Sequence, residues 1–162
     1  MGVVEHFSSN CNKIASDRRL TYMVSIDQEI AINAQITKVF AYIAKPNNIP
    51  NWRPDVKKVF DINGDGSKGT TYKEAVKGFG IFEMKVLDYQ LNKKIIVQAV
   101  SGPAVRPTQT FSFNGSGAST ILKIHVDATV DGVFKLMRPV LPKMINKNWQ
   151  KYLKTVKNSL EK

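Results

Sequence analysis

By residue type and spacing, Glu74 is the side chain best placed to do chemistry. In the run Gly69 to Lys77 it alternates with Tyr72 and Val76, so these three share one face of a strand. If that face turns inward, a carboxyl group stands in an apolar cleft. Desolvation then raises its pKa, which suits a general acid or base. Tyr72 on the same face and Gln109 on a later strand offer a hydroxyl and an amide that can orient a carbonyl or hydroxyl by hydrogen bonding. A structural tether is the plainer role for both. The plainer reading of Glu74 puts it near a strand end in water, or pairs it with Lys73 or Lys85. Glu74 and Tyr72 are the candidate catalytic residues.

Other chemistries find less support. No Gly-x-Ser-x-Gly element is present for a serine nucleophile. Asn63-Gly64-Asp65-Gly66-Ser67 has the glycines of a tight turn but lacks the Gly-Lys-Ser/Thr ending of a phosphate loop. His6 and His125 lie far apart, and Cys11 has no partner at ligand spacing, so no metal site and no cofactor are expected. His125, between Lys123 and Asp127, reads as an outward histidine paired to a neighbour. Arg53 follows Trp52 in a proline-rich turn. It can bind a ligand carboxylate there or stand as a plain surface arginine.

These side chains need elements to hold them. Ser25 to Asn33 alternates as a first strand. Ala34 to Ala44 changes to helical spacing, with Asn33 or Thr37 as the cap and Pro46 as the stop. Asn47 to Pro54 makes a short helix or turn anchored by Ile49 and Trp52. Strand periodicity then dominates: Asp55 to Ile62, Gly69 to Lys77, Ile81 to Tyr89, Ile95 to Val100, Thr108 to Asn114 and Ser119 to Val130, separated by turn signals. In the last of these Leu122, Ile124, Val126, Ala128 and Val130 face one way. From Val133 to Leu160 the apolar residues step by three and four, a helical stripe with a period of about 3.6. Lys143, Lys147, Lys151, Lys154 and Lys157 occupy its other side. Six strands joined by short turns make an antiparallel meander with one buried face. The expected fold is therefore α+β, a curved seven-stranded antiparallel sheet wrapped around a long C-terminal helix, with two short helices after the first strand. Residues 1–22 show no period and read as a poorly structured extension to a single domain at 23–162.

That order resembles the START-like, or SRPBCC, superfamily with its helix-grip fold, and within it the polyketide cyclase/dehydrase-like members. The resemblance rests on Ile32-Asn33-Ala34, Val39-Phe40-Ala41-Tyr42-Ile43, Asn51-Trp52-Arg53-Pro54-Asp55-Val56, the Gly64/Gly66/Gly69 group and Leu153-Lys154-x-x-Lys157-x-x-Leu160-Glu161. It spans about Ile26 to Glu161. It implies a cavity between sheet and C-terminal helix that holds lipids, polyketides or other hydrophobic molecules, and no shared catalytic motif. Facing then gives the wall. Phe40, Ile43 and Trp52 come from the early helices. Tyr72, Glu74, Phe82, Met84, Val97, Gln109, Phe111, Phe113, Ile124 and Val126 come from the strands. Met137, Leu141, Met144 and Ile145 come from the final helix. By spacing alone such residues are more often plain core than ligand wall.

Three functions follow as expectations. One is binding of a hydrophobic small molecule of lipid, polyketide or aromatic type. The second is a cyclase or dehydratase in which Glu74 serves an aldol-type cyclisation or a dehydration. The third is an interaction protein that sets its basic helix on an anionic membrane or an acidic partner. The chain has 162 residues, 43% of them hydrophobic, which suits one globular domain. The net charge is +11, and between Phe134 and Lys162 eight Lys or Arg stand against one acid, Glu161. This is a solvated helix face or a weak attraction to an anionic surface. No nucleic-acid motif accompanies it. No apolar run is long enough for a transmembrane segment or a signal peptide, and with one cysteine a cytoplasmic protein is expected.

Overall fold

The structure of the protein, a computed structural model, describes residues 22–162. The extension expected over residues 1–22, with His6 and Cys11, lies outside the described residues, except that Tyr22 already opens the first strand. β1 (Tyr22–Ile32) leads through α1 (Ile36–Ala44), a 3-10 turn (Pro46–Asn48) and the short α2 (Ile49–Trp52). Then come β2 (Val56–Asn63), β3 (Thr71–Val76), β4 (Gly80–Gln90), β5 (Lys94–Ser101), β6 (Val105–Ser116) and β7 (Ser119–Val130). A 3-10 segment (Gly132–Met137) connects to α3 (Leu141–Leu160). The sheet order is β1-β7-β6-β5-β4-β3-β2, with every neighbouring pair antiparallel. This is the α+β helix-grip arrangement. Register shifts in β2 after Val56 and Phe60, and between β4 and β5 at Glu83/Met84 and Val86/Asp88, bend the strands and curl the sheet.

The inward faces line up across the sheet. Ile26 pairs with Val126, Val126 with Gln109, Gln109 with Val97 and Val97 with Val86. Gln109, 5% exposed, is the one polar residue in that row. Behind β2, Gly66 (φ +100°) passes so close to α1 that a Cβ there would sit 2.6 Å from the Ala44 carbonyl oxygen, a position only glycine tolerates.

α3 buries Leu141, Trp149, Tyr152, Leu153, Val156 and Leu160 against the sheet. It begins at Leu141, eight residues after the expected Val133. Apolar spacing reads straight through Pro139 and Pro142, but the backbone does not. Proline has no N–H to donate and is tolerated only in the first helical turn, where Pro142 sits. Neither Asn33 nor Thr37 caps α1. Gln35 takes the N-cap position without a side-chain bond, because the helix starts only at Ile36. The end of α3 is pinned to β1: Lys157 Nζ donates to Ala31 O at 2.7 Å and pairs with Glu161 at 2.8 Å, while the Asn33 amide donates to Glu161 Oε1 at 2.7 Å. Lys157 therefore leaves the solvated lysine face predicted for it.

Candidate functional site

Sheet and α3 enclose a cavity of about 120 Å³. Its apolar wall comes from Val76, Phe79, Phe82, Met84, Val105, Pro107, Val126 and Ala128 on the sheet side, and Met144, Ile145 and Trp149 on α3. Arg53, Asp55, Glu74, Gln109, Asn148 and Tyr152 are its polar groups. A second, inner cavity of about 20 Å³ lies under α1 and α2, lined by Ile43, Trp52, Tyr72, Val97, Phe111 and neighbours. Arg53, Glu74 and Gln109 border both cavities and so form the partition between them.

An ion-pair chain organises that partition. Arg53 Nη1 donates to Glu74 Oε2 at 2.9 Å, and Nη2 donates to Asp55 Oδ2 at 2.9 Å. The Arg53 and Glu74 side chains are 9% and 3% exposed. The guanidinium also lies 5.9 Å from the ring centroids of both Trp149 and Tyr152, within cation–π range. Burial pushes the Glu74 carboxyl above its ordinary range, against the pull of Arg53. Burial works against the Arg53 charge too, but Glu74 and Asp55 together outweigh it and raise its pKa. Burial, and then the Asp55 charge, lifts the Tyr152 phenol; burial, with Glu74 beside it, lifts Tyr72 well above its usual value. Both phenols are thus donors, not bases, near neutral pH. Arg53 Nε and Asp55 Oδ1, at the cavity wall, have no hydrogen-bond partner in the protein, nor has Trp52 Nε1.

The expected site residues divide. Glu74, Phe82, Met84, Gln109, Val126, Met144 and Ile145 line the main cavity. Ile43, Trp52, Tyr72, Val97 and Phe111 line the inner one. Tyr72 is thereby separated from the main cavity, with Glu74 between. Phe40 and Phe113 are buried elsewhere: their rings pack edge-on at 4.9 Å, and Tyr89 packs edge-on to Phe40 at 5.2 Å. Ile124 and Leu141 are buried core outside both cavities, and Met137 is half-buried on the 3-10 segment because α3 has not yet begun. Glu74 pairs with neither Lys73 nor Lys85. Lys73 points outward to Asp61 at 2.8 Å, since odd and even positions of β3 face opposite ways. Arg53 is buried, not a surface arginine.

Residues 23–161 match the family described as polyketide cyclase/dehydrase and lipid transport. The chain belongs to this family. Among solved structures the fold is similar to the Zhui aromatase/cyclase from Streptomyces sp. R1128, with 16% identity over 86% of this chain and 94% of that one, at a TM-score of 0.73. A START superfamily protein from Mycobacterium smegmatis gives 19% identity over 85% and 97%, at 0.70. Norcoclaurine synthase from Thalictrum flavum, solved in complex with dopamine and hydroxybenzaldehyde, gives 18% over 85% and 86%, at 0.64. At such identities these neighbours establish the fold. No curated protein matches the sequence.

In this family member several wall residues escaped the sequence reading. Ala128 shares a face with Val126 and was within reach of alternation. Trp149 and Tyr152 follow Ile145 on the α3 stripe by about one and two turns, so helical spacing also contained them. Val105 and Pro107 were hidden by the proline. β6 pairs with β5 only from Thr108 onward, so Pro107 sits where that ladder has ended. Among the described residues no group of three or more His, Cys, Asp or Glu is disposed to hold a metal ion.

Proposed function

We propose that the protein binds a hydrophobic small molecule in the cavity between sheet and α3, with the Arg53–Asp55–Glu74 chain meeting the polar end of that molecule. The observation that carries this reading is a mostly apolar cavity with its unpaired polar atoms, Arg53 Nε and Asp55 Oδ1, gathered at one wall. An apolar cavity of about 150 Å³ holds a benzene ring, so the present 120 Å³ suits one ring or a chain segment. A larger polyketide or acyl chain needs the partition at Arg53 and Glu74 to part and join the inner cavity. Family membership supports a hydrophobic ligand; the aromatic ligands of the norcoclaurine synthase complex make an aromatic one a sensible first probe. The test is native mass spectrometry of the purified protein, followed by extraction and identification of what it releases. A near-stoichiometric hydrophobic molecule is the expected result. An apo protein that also ignores a panel of lipids and aromatic polyketides overturns the reading.

A second reading makes the protein a cyclase or dehydratase. Glu74 favours it: a buried carboxyl facing the cavity, with its pKa raised, is suited to move a proton. Tyr72 serves in this reading as a proton-bearing donor reached through the inner cavity, and Tyr152 is a second donor facing the main one. Loss of turnover with retained binding in Glu74→Gln supports catalysis; unchanged turnover removes Glu74 from it.

A further inference from the structure

We propose that the 3-10 segment Gly132–Met137, with the first turns of α3, is a docking surface for an anionic lipid bilayer, beside the cavity wall at Phe79. The segment leaves β7 beside β6, where the Asp131 amide donates to Ala104 O at 2.7 Å. It crosses to the β3–β4 turn, where Phe134 stacks on Phe79 with ring centroids 5.5 Å apart. Phe79 lines the cavity, so the segment lies against one of the cavity's wall residues.

Phe134 turns inward, but its neighbours do not. Val133 is 76% exposed, Leu136 84% and Val140 52%. Three apolar side chains thus project from the eight residues Val133–Val140, a local concentration of exposed apolar surface. Cations occur on the same segment and on the elements next to it. Lys135 lies within the segment, Lys143 and Lys147 are exposed on α3, and Lys77 is exposed in the β3–β4 turn. No acidic residue occurs between Gly132 and Leu160. Asp131, just before the segment, is engaged by Arg106 at 2.7 Å. The Arg138 guanidinium lies 4.5 Å from the Tyr22 ring centroid and ties the segment to β1.

Exposed apolar tips on a segment with lysines and no acid match the bilayer interface. The tips enter the boundary between headgroups and acyl chains while the ammonium groups meet lipid phosphates. A second copy of this chain would set the same cations against one another at a net charge of +11 each, so it fits less well. The proposal does not rest on what the cavity holds.

The test is co-sedimentation of the full chain with vesicles of pure phosphatidylcholine and of equimolar phosphatidylcholine and phosphatidylglycerol. Binding to the anionic vesicles alone, weakened by added salt, is expected. Leu136→Glu should abolish it. The double change Lys143→Gln with Lys147→Gln should reduce partitioning about thirtyfold, the equivalent of roughly 1 kcal/mol per lysine. Lys154→Gln, farther along α3, should leave it unchanged. No binding to anionic vesicles overturns the proposal, as does binding that Leu136→Glu leaves intact. A dimer in sedimentation velocity that Leu136→Glu dissolves, without vesicle binding, assigns the patch to a second copy instead.

Discussion

At the scale of single residues, Arg53 holds the site together. It neutralises two carboxylates, one of them nearly fully buried, and its removal leaves Glu74 as an unpaired buried acid. Breaking such a pair costs about 3–5 kcal/mol, so Arg53→Met should lose a stability of this order in urea titrations. The double variant Arg53→Met with Glu74→Met should recover much of it. The pH dependence has a defined sign. The folded state raises the Glu74 pKa above its unfolded value, so the stabilisation is complete at low pH and declines as pH rises through the folded value. Without Arg53 the rise is larger. Arg53→Met should therefore lose stability progressively as pH climbs above 4.5, and Glu74→Gln should flatten the profile of the wild-type chain. A flat profile in Arg53→Met would contradict the burial of Glu74. Alternation along β3 was enough to turn Glu74 inward. Its partner could not be read, because Arg53 lies 21 residues earlier on a different element and only packing brings the two together.

Elements carry their own tests. β1 closes on β7 through more than its backbone ladder. His125 Nδ1 lies 2.8 Å from Asp27, Nε2 lies 3.1 Å from Asp127, and the Ser25 hydroxyl donates to Asp127 in turn. The Asp27 hydrogen bond raises the His125 pKa; burial opposes it, and Asp127 adds to the rise. Stability from this contact is thus fully present below 6.5 and fades as pH rises through the folded value. The Tm of His125→Asn should fall short of wild type most in mild acid, and the gap should close in alkali. A constant gap would mean the contact is not ionic. α3 depends on its apolar stripe, and Leu153, 2% exposed, lies at the centre of it. Leu153→Ala should lose about 2–5 kcal/mol in denaturant titration. The stripe was plain in the sequence because a period near 3.6 survives any register. The helix start was not, because Val133, Phe134 and Met137 continue the same apolar spacing upstream of Pro139.

At the scale of the whole molecule, the fold was legible in the order of its elements: a strand, short helices, six strands with turn signals between them, and one long amphipathic helix. The division of the cavity was not. It depends on where α2 and α3 meet over the sheet, and there Trp52 and Trp149 pack with centroids 6.2 Å apart while Arg53 sits beneath. Periodicity assigns faces and says nothing of where between two faces a gap remains. This is why Phe40, Phe113 and Ile124, all inward, belong to solid core. A larger side chain set into the gap should separate core from site. Ala128→Phe should tolerate the overpacking at a cost of roughly 1–3 kcal/mol and lose affinity for any cavity ligand. The methionines allow the most direct measurement. Met84 and Met144 face the main cavity from opposite walls, whereas Met23, 60% exposed, lies on the outer face of the sheet. Methyl NMR of the full chain, titrated with an aromatic polyketide or a fatty acid, should shift Met84 and Met144 together along one saturable curve and leave Met23 still. If those two methyls stay unmoved across the panel, or Met23 moves in their place, the cavity between sheet and α3 is not where this protein binds.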